Sequence, residues 1–166
     1  MAQIIVYFSR SGENYVGGAI KNLAVGNTEV VAEKLGELTG ASTFKVEPMV
    51  AYSNDYNECI EEARCDLKRD ARPELVSWPE SMEQYDTVYL GYPNYWGTMP
   101  MAVFTFLERY DFSGKTIKPF CTHEGSGMGR SEADIKRLCP DAVVEKGIAI
   151  LGSKVQDVEG KLRQWM

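Results

Sequence analysis

At 166 residues and 18.6 kDa, with 44% of the chain in apolar residue types, the protein is sized for one domain around one buried core. A formal net charge of −6 and a pI near 4.9 exclude the basic surface that nucleic acid requires. No stretch approaches the roughly 18 apolar residues of a membrane span, and the opening MAQIIVYFSR lacks the basic start of a secretion signal, so the expected setting is the cytoplasm, away from membranes.

Ile4 to Phe8 is a nearly continuous apolar run, the pattern of a parallel strand covered by helices on both faces. Ser9 to Gly12 is polar, and residues 13–26 separate it from a helix whose stripe is Val30, Val31, Leu35 and Leu38. Inside 13–26, Tyr15 to Ile20 predicts a small hairpin turning at Gly17-Gly18, with Leu23 and Val25 returning to the core. Thr43 to Val46 alternates like an edge strand. Tyr56, Cys59, Ile60, Ala63 and Leu67 recur at helical spacing after a Ser53-Asn54 capping candidate, and Pro73 closes that segment. Thr87 to Tyr92 is the next buried strand, and Pro100 suits the first turn of a helix through Met101, Phe104 and Leu107. Thr116 to Thr122 and Val143 to Ile150 are the last strands, although Pro119 lacks the N–H a central strand needs. Arg130 to Leu138 and Gln156 to Trp165 are the last helices. Strands alternating with helices predict crossover units, hence an α/β protein: a three-layer α/β/α sandwich on a five-stranded parallel sheet, one domain over residues 1–166.

Ligands of such sheets sit outside the carboxyl ends of the strands. Three polar, glycine-containing loops are expected there. With residues 13–26 set aside, the first reads Ser9-Arg10-Ser11-Gly12 joined to Asn27-Thr28-Glu29, directly ahead of a helix. Its hydroxyls, the Asn27 amide and the unpaired N–H groups at the helix start suit a phosphate; a register with Asn14 in place of Asn27 is the alternative. The second loop, Pro93-Asn94-Tyr95-Trp96-Gly97-Thr98, offers aromatic walls for a flat ring, or cover for the domain's own core. The third runs from Cys121 through Thr122, His123, Glu124 and Gly125 to Gly129, its glycines allowing close backbone approach. It is not the dinucleotide fingerprint. His123, the single histidine, reads as structural.

Other chemistries fail on spacing. Ser113-Gly114-Lys115-Thr116 lacks the upstream glycine of a nucleotide-binding loop and precedes a strand. No arginine follows Cys59, Cys65, Cys121 or Cys139 at phosphatase spacing, and no C-x-x-C offers zinc or dithiol chemistry, so the thiols are expected to be reduced. Ser9-Arg10-Ser11 stands where a receiver domain needs acidic residues.

Together the three loops resemble those of the flavodoxin-like flavoproteins: the first is similar to their S/T-x-T-G-N-T phosphate loop, and "GYPNYWGTMP" and "FCTHEGSG" carry the rest, so the resemblance spans almost the whole chain. It implies strand order 2-1-3-4-5 and non-covalent FMN. The implied phosphate set is Ser9, Ser11, Asn27 and Thr28; the ring would lie against Pro93, Asn94, Tyr95, Trp96 and Gly97, and against His123, Glu124 and Gly125. Arg10 and Thr122 complete the candidate set, and no catalytic residue or metal is implied. The departures are Arg10 and the 13–26 insertion, taken as a flap over the phosphate side. Such a protein passes electrons to a redox partner protein; the alternative is an NAD(P)H-dependent reductase of a small-molecule acceptor such as a quinone, and a flavin-free scaffold is a third class. A reduced flavin beside its phosphate and an acidic surface is expected to be a low-potential donor.

Overall fold

The computed structural model describes residues 2–166. In chain order they form β1 (Ala2–Tyr7), β2 (Gly12–Val16), β3 (Ala19–Leu23), α1 (Asn27–Thr39), β4 (Ser42–Lys45), α2 (Tyr56–Lys68), β5 (Tyr85–Pro93), α3 (Met101–Arg109), β6 (Thr116–His123), α4 (Ser131–Leu138), β7 (Val143–Val144), β8 (Ile148–Leu151) and α5 (Glu159–Trp165). The main sheet runs β4-β1-β5-β6-β7, with β8 also on β6, and every pairing is parallel. Taking β7 and β8 as one interrupted strand, this is the expected order 2-1-3-4-5.

Alternate residues of the central strands face opposite layers, which explains their unbroken apolar character. Ile4, Val6, Val88, Leu90, Tyr92, Ile117 and Cys121 face the layer that holds α3. Ile5, Tyr89, Phe120, Ile148 and Ile150 face Val31, Ala32 and Leu35 of α1 and Leu162 of α5. Gly91 lies against the ring of Phe120, where a side chain would collide.

Pro119 does stand in a central strand, and the sheet accommodates it by a break. Ile117 is the last β6 residue paired with β7 and Phe120 the first paired with β8. Opposite Pro119 the chain leaves the ladder: Gly147 packs against the Pro119 carbonyl and ring, and its N–H donates to Glu132 Oε2 at 2.7 Å. Two other boundaries move. Asp55, not Ser53 or Asn54, caps α2, accepting from Glu58 N at 2.9 Å. The last helix is preceded by a 3-10 turn over Gly152–Asp157.

Residues 13–26 form the expected hairpin, with antiparallel pairs from Gly12↔Leu23 to Val16↔Ala19. Leu23 is half-buried, but Val25 is exposed and does not return to the core. No helix among the described residues is long and apolar enough to cross a membrane.

Candidate functional site

The first loop is spliced by a glycine. Gly12, at φ 86°, turns the chain out into the hairpin, and at the far end Gly26 returns so close to the start that a Cβ would run into Ser9 Oγ and the Arg10 carbonyl. Ser9–Arg10 and Gly26–Asn27 therefore meet although 15 or more positions apart. Ser9 Oγ accepts from Glu29 N at 3.0 Å, doing for α1 what Gly26, its N-cap without a side chain, cannot. The backbone amides of Asn27 and Thr28 and the Asn27 side chain have no hydrogen-bond partner among the described residues. The hydroxyl of Thr28 is buried and paired with Thr122 Oγ1 at 2.8 Å, joining the first loop to the third.

The second loop is a two-residue turn. Tyr95 and Thr98 bond each other in both directions, with Trp96 at φ 55° and Gly97 at φ 89° between them, the left-handed pair such a tight turn demands. Asn94 fixes it. Its Oδ1 accepts from Gly97 N and its Nδ2 donates to Gly127 O, both at 2.8 Å, while its own N–H donates to Thr122 O at 2.9 Å. Arg130 N adds a bond to Gly97 O at 2.8 Å. Tyr95 turns inward, its ring 5.8 Å from Phe8 and 6.4 Å from Tyr52. Its hydroxyl is buried without a hydrogen-bond partner, the weakly polar Cys59 thiol beside it, and burial pushes the phenol far up. Trp96 stays 47% exposed, its indole N–H donating to Ile60 O of α2 at 2.8 Å.

In the third loop, Gly125 N donates to His123 Nδ1 at 2.9 Å. Burial lowers the His123 pKa and Lys161 lowers it further against the opposing pull of Glu124, so the ring is neutral at pH 7 with its remaining N–H on Nε2. Glu124 Oε1 accepts from Gly17 N, at the tip of the hairpin, at 2.7 Å. The ends of the Glu124 and Asn27 side chains both lie against Gly152.

These three loops wall a single cavity of about 330 Å³ at the carboxyl edge of the sheet. Of the candidate residues, Asn27, Thr28, Pro93 to Gly97, Thr122, His123 and Glu124 line it, as does Arg10. Ser9, Ser11 and Gly125 do not. Ser9 is turned to the helix start, Ser11 is exposed at the turn-out into the hairpin, and Gly125, at φ 135°, carries the loop away from the cavity. Asn27 heads α1 and Asn14 lies on the hairpin, and both line the cavity. The opposite wall went unread: Asn14 and Tyr15 of the hairpin and Tyr56, Cys59, Ile60 and Ala63 of α2. In the sequence, the α2 residues carry only the signal of a core-facing stripe.

A doubly wound parallel sheet with its cavity bounded by the loops after β1, β5 and β6 defines a flavodoxin-like α/β protein. The family model described as Flavodoxin matches residues 2–166, and the chain belongs to that family. No curated protein matches it in sequence. Among solved structures, a candidate flavoprotein from Bacteroides uniformis is 25% identical, with TM-score 0.77 over 98% of this chain and 97% of that one. A flavoprotein from Lactobacillus acidophilus in complex with FMN is 18% identical, with TM-score 0.68 over 94% and 97%. Oxidised Flavodoxin 2 from Bacillus cereus is 17% identical, with TM-score 0.53 over 99% and 97%. The last two bear on the fold.

Proposed function

We propose that the protein binds FMN non-covalently in this cavity and acts in electron transfer through it. What carries the reading is the splice at Gly26, which delivers two unpartnered amides at the head of α1, and the unpartnered Asn27 side chain, to a cavity walled by the other two loops. That donor set fits a phosphate. Helix starts favour anions, and hydrogen bonds to a charged group contribute about 1.5–3 kcal/mol each. Trp96 and Pro93 would flank the ring, while Asn94 holds the second and third loops at a fixed separation. The bound FMN supplies the redox chemistry. The Lactobacillus acidophilus relative, solved with FMN, supports the choice of cofactor.

A second reading, a nicotinamide-dependent reductase of a small acceptor, has one observation in its favour. The hairpin, tied to Glu124 at its tip, and Tyr15 beside Tyr56 at 6.1 Å enclose the side facing away from the sheet. A carrier that meets its partners at an exposed ring edge has no use for those walls. Titration of the purified protein with FMN tests the common claim: Asn27→Ala is expected to weaken FMN about tenfold, more than Trp96→Ala does. No binding at saturating FMN overturns it. Anaerobic NADH or NADPH then separates the readings, since bleaching within seconds without a second protein marks the reductase and a spectrum stable over many minutes marks the carrier.

A further inference from the structure

Across the cavity from the second and third loops, the wall is built around a cation. Arg10 leaves the first loop with its side chain running to the head of α2: Nε donates to Glu13 O at 2.9 Å, and Nη2 donates to Ser53 O at 2.8 Å and Asn54 O at 3.0 Å. Three of the five guanidinium N–H groups are thus fixed by neutral carbonyls, and the two on Nη1 remain to donate. No carboxylate pairs with Arg10 among the described residues. Glu13, whose carbonyl holds Arg10 Nε, turns its own Oε1 to Tyr56 N at 2.8 Å. In a chain of net charge −6, a rigid and unpaired guanidinium on a cavity wall is a local exception to the surrounding sign.

The groups beside it are aromatic and apolar. Tyr15 and Tyr56 stand as a tilted pair with centroids 6.1 Å apart, and Ile60 and Ala63 continue the wall along α2. Arg10 and Tyr56 meet at Glu13, whose carbonyl accepts from Arg10 Nε at 2.9 Å and whose Oε1 accepts from Tyr56 N at 2.8 Å, so cation and tyrosine share one wall. Asn14, whose Nδ2 is bound to the Arg10 and Gly12 carbonyls, presents its free Oδ1 as an acceptor.

We propose that Arg10, Tyr15 and Tyr56 form a second subsite, facing the FMN seat, that takes a planar aromatic substrate bearing one carboxylate. The carboxylate meets the free N–H pair of Arg10 and the ring lies against the two tyrosines. One cation matches a monoanion; a dianion would carry uncompensated charge into an acidic protein. The proposal rests on FMN occupying the three loops, and it names the acceptor class for the reductase reading.

The test uses FMN-loaded protein titrated with benzoate and with its neutral isostere benzamide, followed by calorimetry and by perturbation of the flavin spectrum. Benzoate is expected to bind at least about tenfold tighter than benzamide, the value of one charge-assisted contact. Arg10→Met is expected to bring benzoate down to the benzamide level, with any loss of FMN affinity smaller than the loss for benzoate, and Tyr15→Ala to weaken both probes alike. Equal binding of the two probes by the unaltered protein overturns the proposal without any variant. So does a loss of FMN affinity in Arg10→Met as large as the loss for benzoate, or displacement of FMN by benzoate, since either puts the cation at the flavin itself. If FMN does not bind at all, the same benzoate and benzamide titrations on the apoprotein still decide whether Arg10 selects the anion, so the two readings fail separately.

Discussion

One absent side chain holds the phosphate end of the cavity together. Gly26 sits at φ −65°, a backbone any residue adopts, so the need for glycine there is one of contact: its Cα faces Ser9 Oγ and the Arg10 carbonyl with no room for a methyl group. Gly26→Ala must push the α1 start away from Ser9, loosening the cap on Glu29 N and moving the free amides of Asn27 and Thr28 out of line. Overpacking of this kind costs about 1–3 kcal/mol. The expected result is a loss of FMN affinity of about tenfold or more, read by fluorescence titration. Gly40→Ala is the control. Gly40 ends α1 at φ 70°, with nothing within 4 Å of a built Cβ, so that change should lower the melting temperature and leave FMN affinity alone. The composition of the loop was legible in the sequence because Ser, Asn and Thr at a helix start supply hydroxyl and amide groups that suit a phosphate, although they suit an ordinary helix cap as well. Which of them reach the cavity was not. Ser9 and Ser11 are chemically alike, and only the turn at Gly12 sends one to the helix start and the other to solvent.

At the scale of elements, the hairpin β2–β3 is the piece least supported by the rest of the fold. All of β3 except Leu23 is exposed, with Ile20 at 48%, and a lone two-stranded ribbon is marginal in water. It stays down through Arg10 and Glu13 at its root, the Tyr15–Tyr56 contact at its middle and the Gly17–Glu124 bond at its tip. The tip bond is exposed and so contributes about 0.5–1.5 kcal/mol. Glu124→Ala is therefore expected to speed FMN release about two- to tenfold in a stopped-flow displacement assay and to speed hydrogen exchange at Gly17. Glu124→Gln, which keeps the Oε1 acceptor, should stay near the unaltered rate; a release rate unmoved by the alanine change would mean that the hairpin does not gate the site. The hairpin was readable from Gly17-Gly18 between alternating residues, and the core strands from their apolar runs. Its docking on α2 was not, because Glu13, Tyr15 and Tyr56 meet only through tertiary placement. The break in the fifth strand had a sequence signal in Pro119, whose missing N–H coincides with the point where β7 ends and β8 has yet to begin.

For the molecule as a whole, the groups buried between its layers set an alkaline limit on stability. Burial pushes the Cys121 thiol up to about 12 and the Cys139 thiol up to about 11, from an ordinary 9.0. Tyr7 is raised from 10.0 to about 12, by burial first and then by Glu29 and Glu33. In each case the fold favours the protonated, neutral form. Unfolding frees these groups to ionise at their ordinary values, so their contribution is intact below about pH 9 and is lost as the pH climbs towards about 12. The urea midpoint is expected to be level from about pH 7 to 8.5 and to fall beyond about pH 9, and Cys139→Ala should flatten part of that fall at some cost to packing. A net charge of −6 that grows with pH offers a rival cause, since self-repulsion also loosens a compact state. Salt separates the two. Repulsion between exposed charges more than about 10 Å apart is largely screened at 0.1 M and above, whereas the cost of ionising a buried thiol is not. A fall that persists in about 0.5 M NaCl points to the buried groups, and one that vanishes there returns the limit to surface charge.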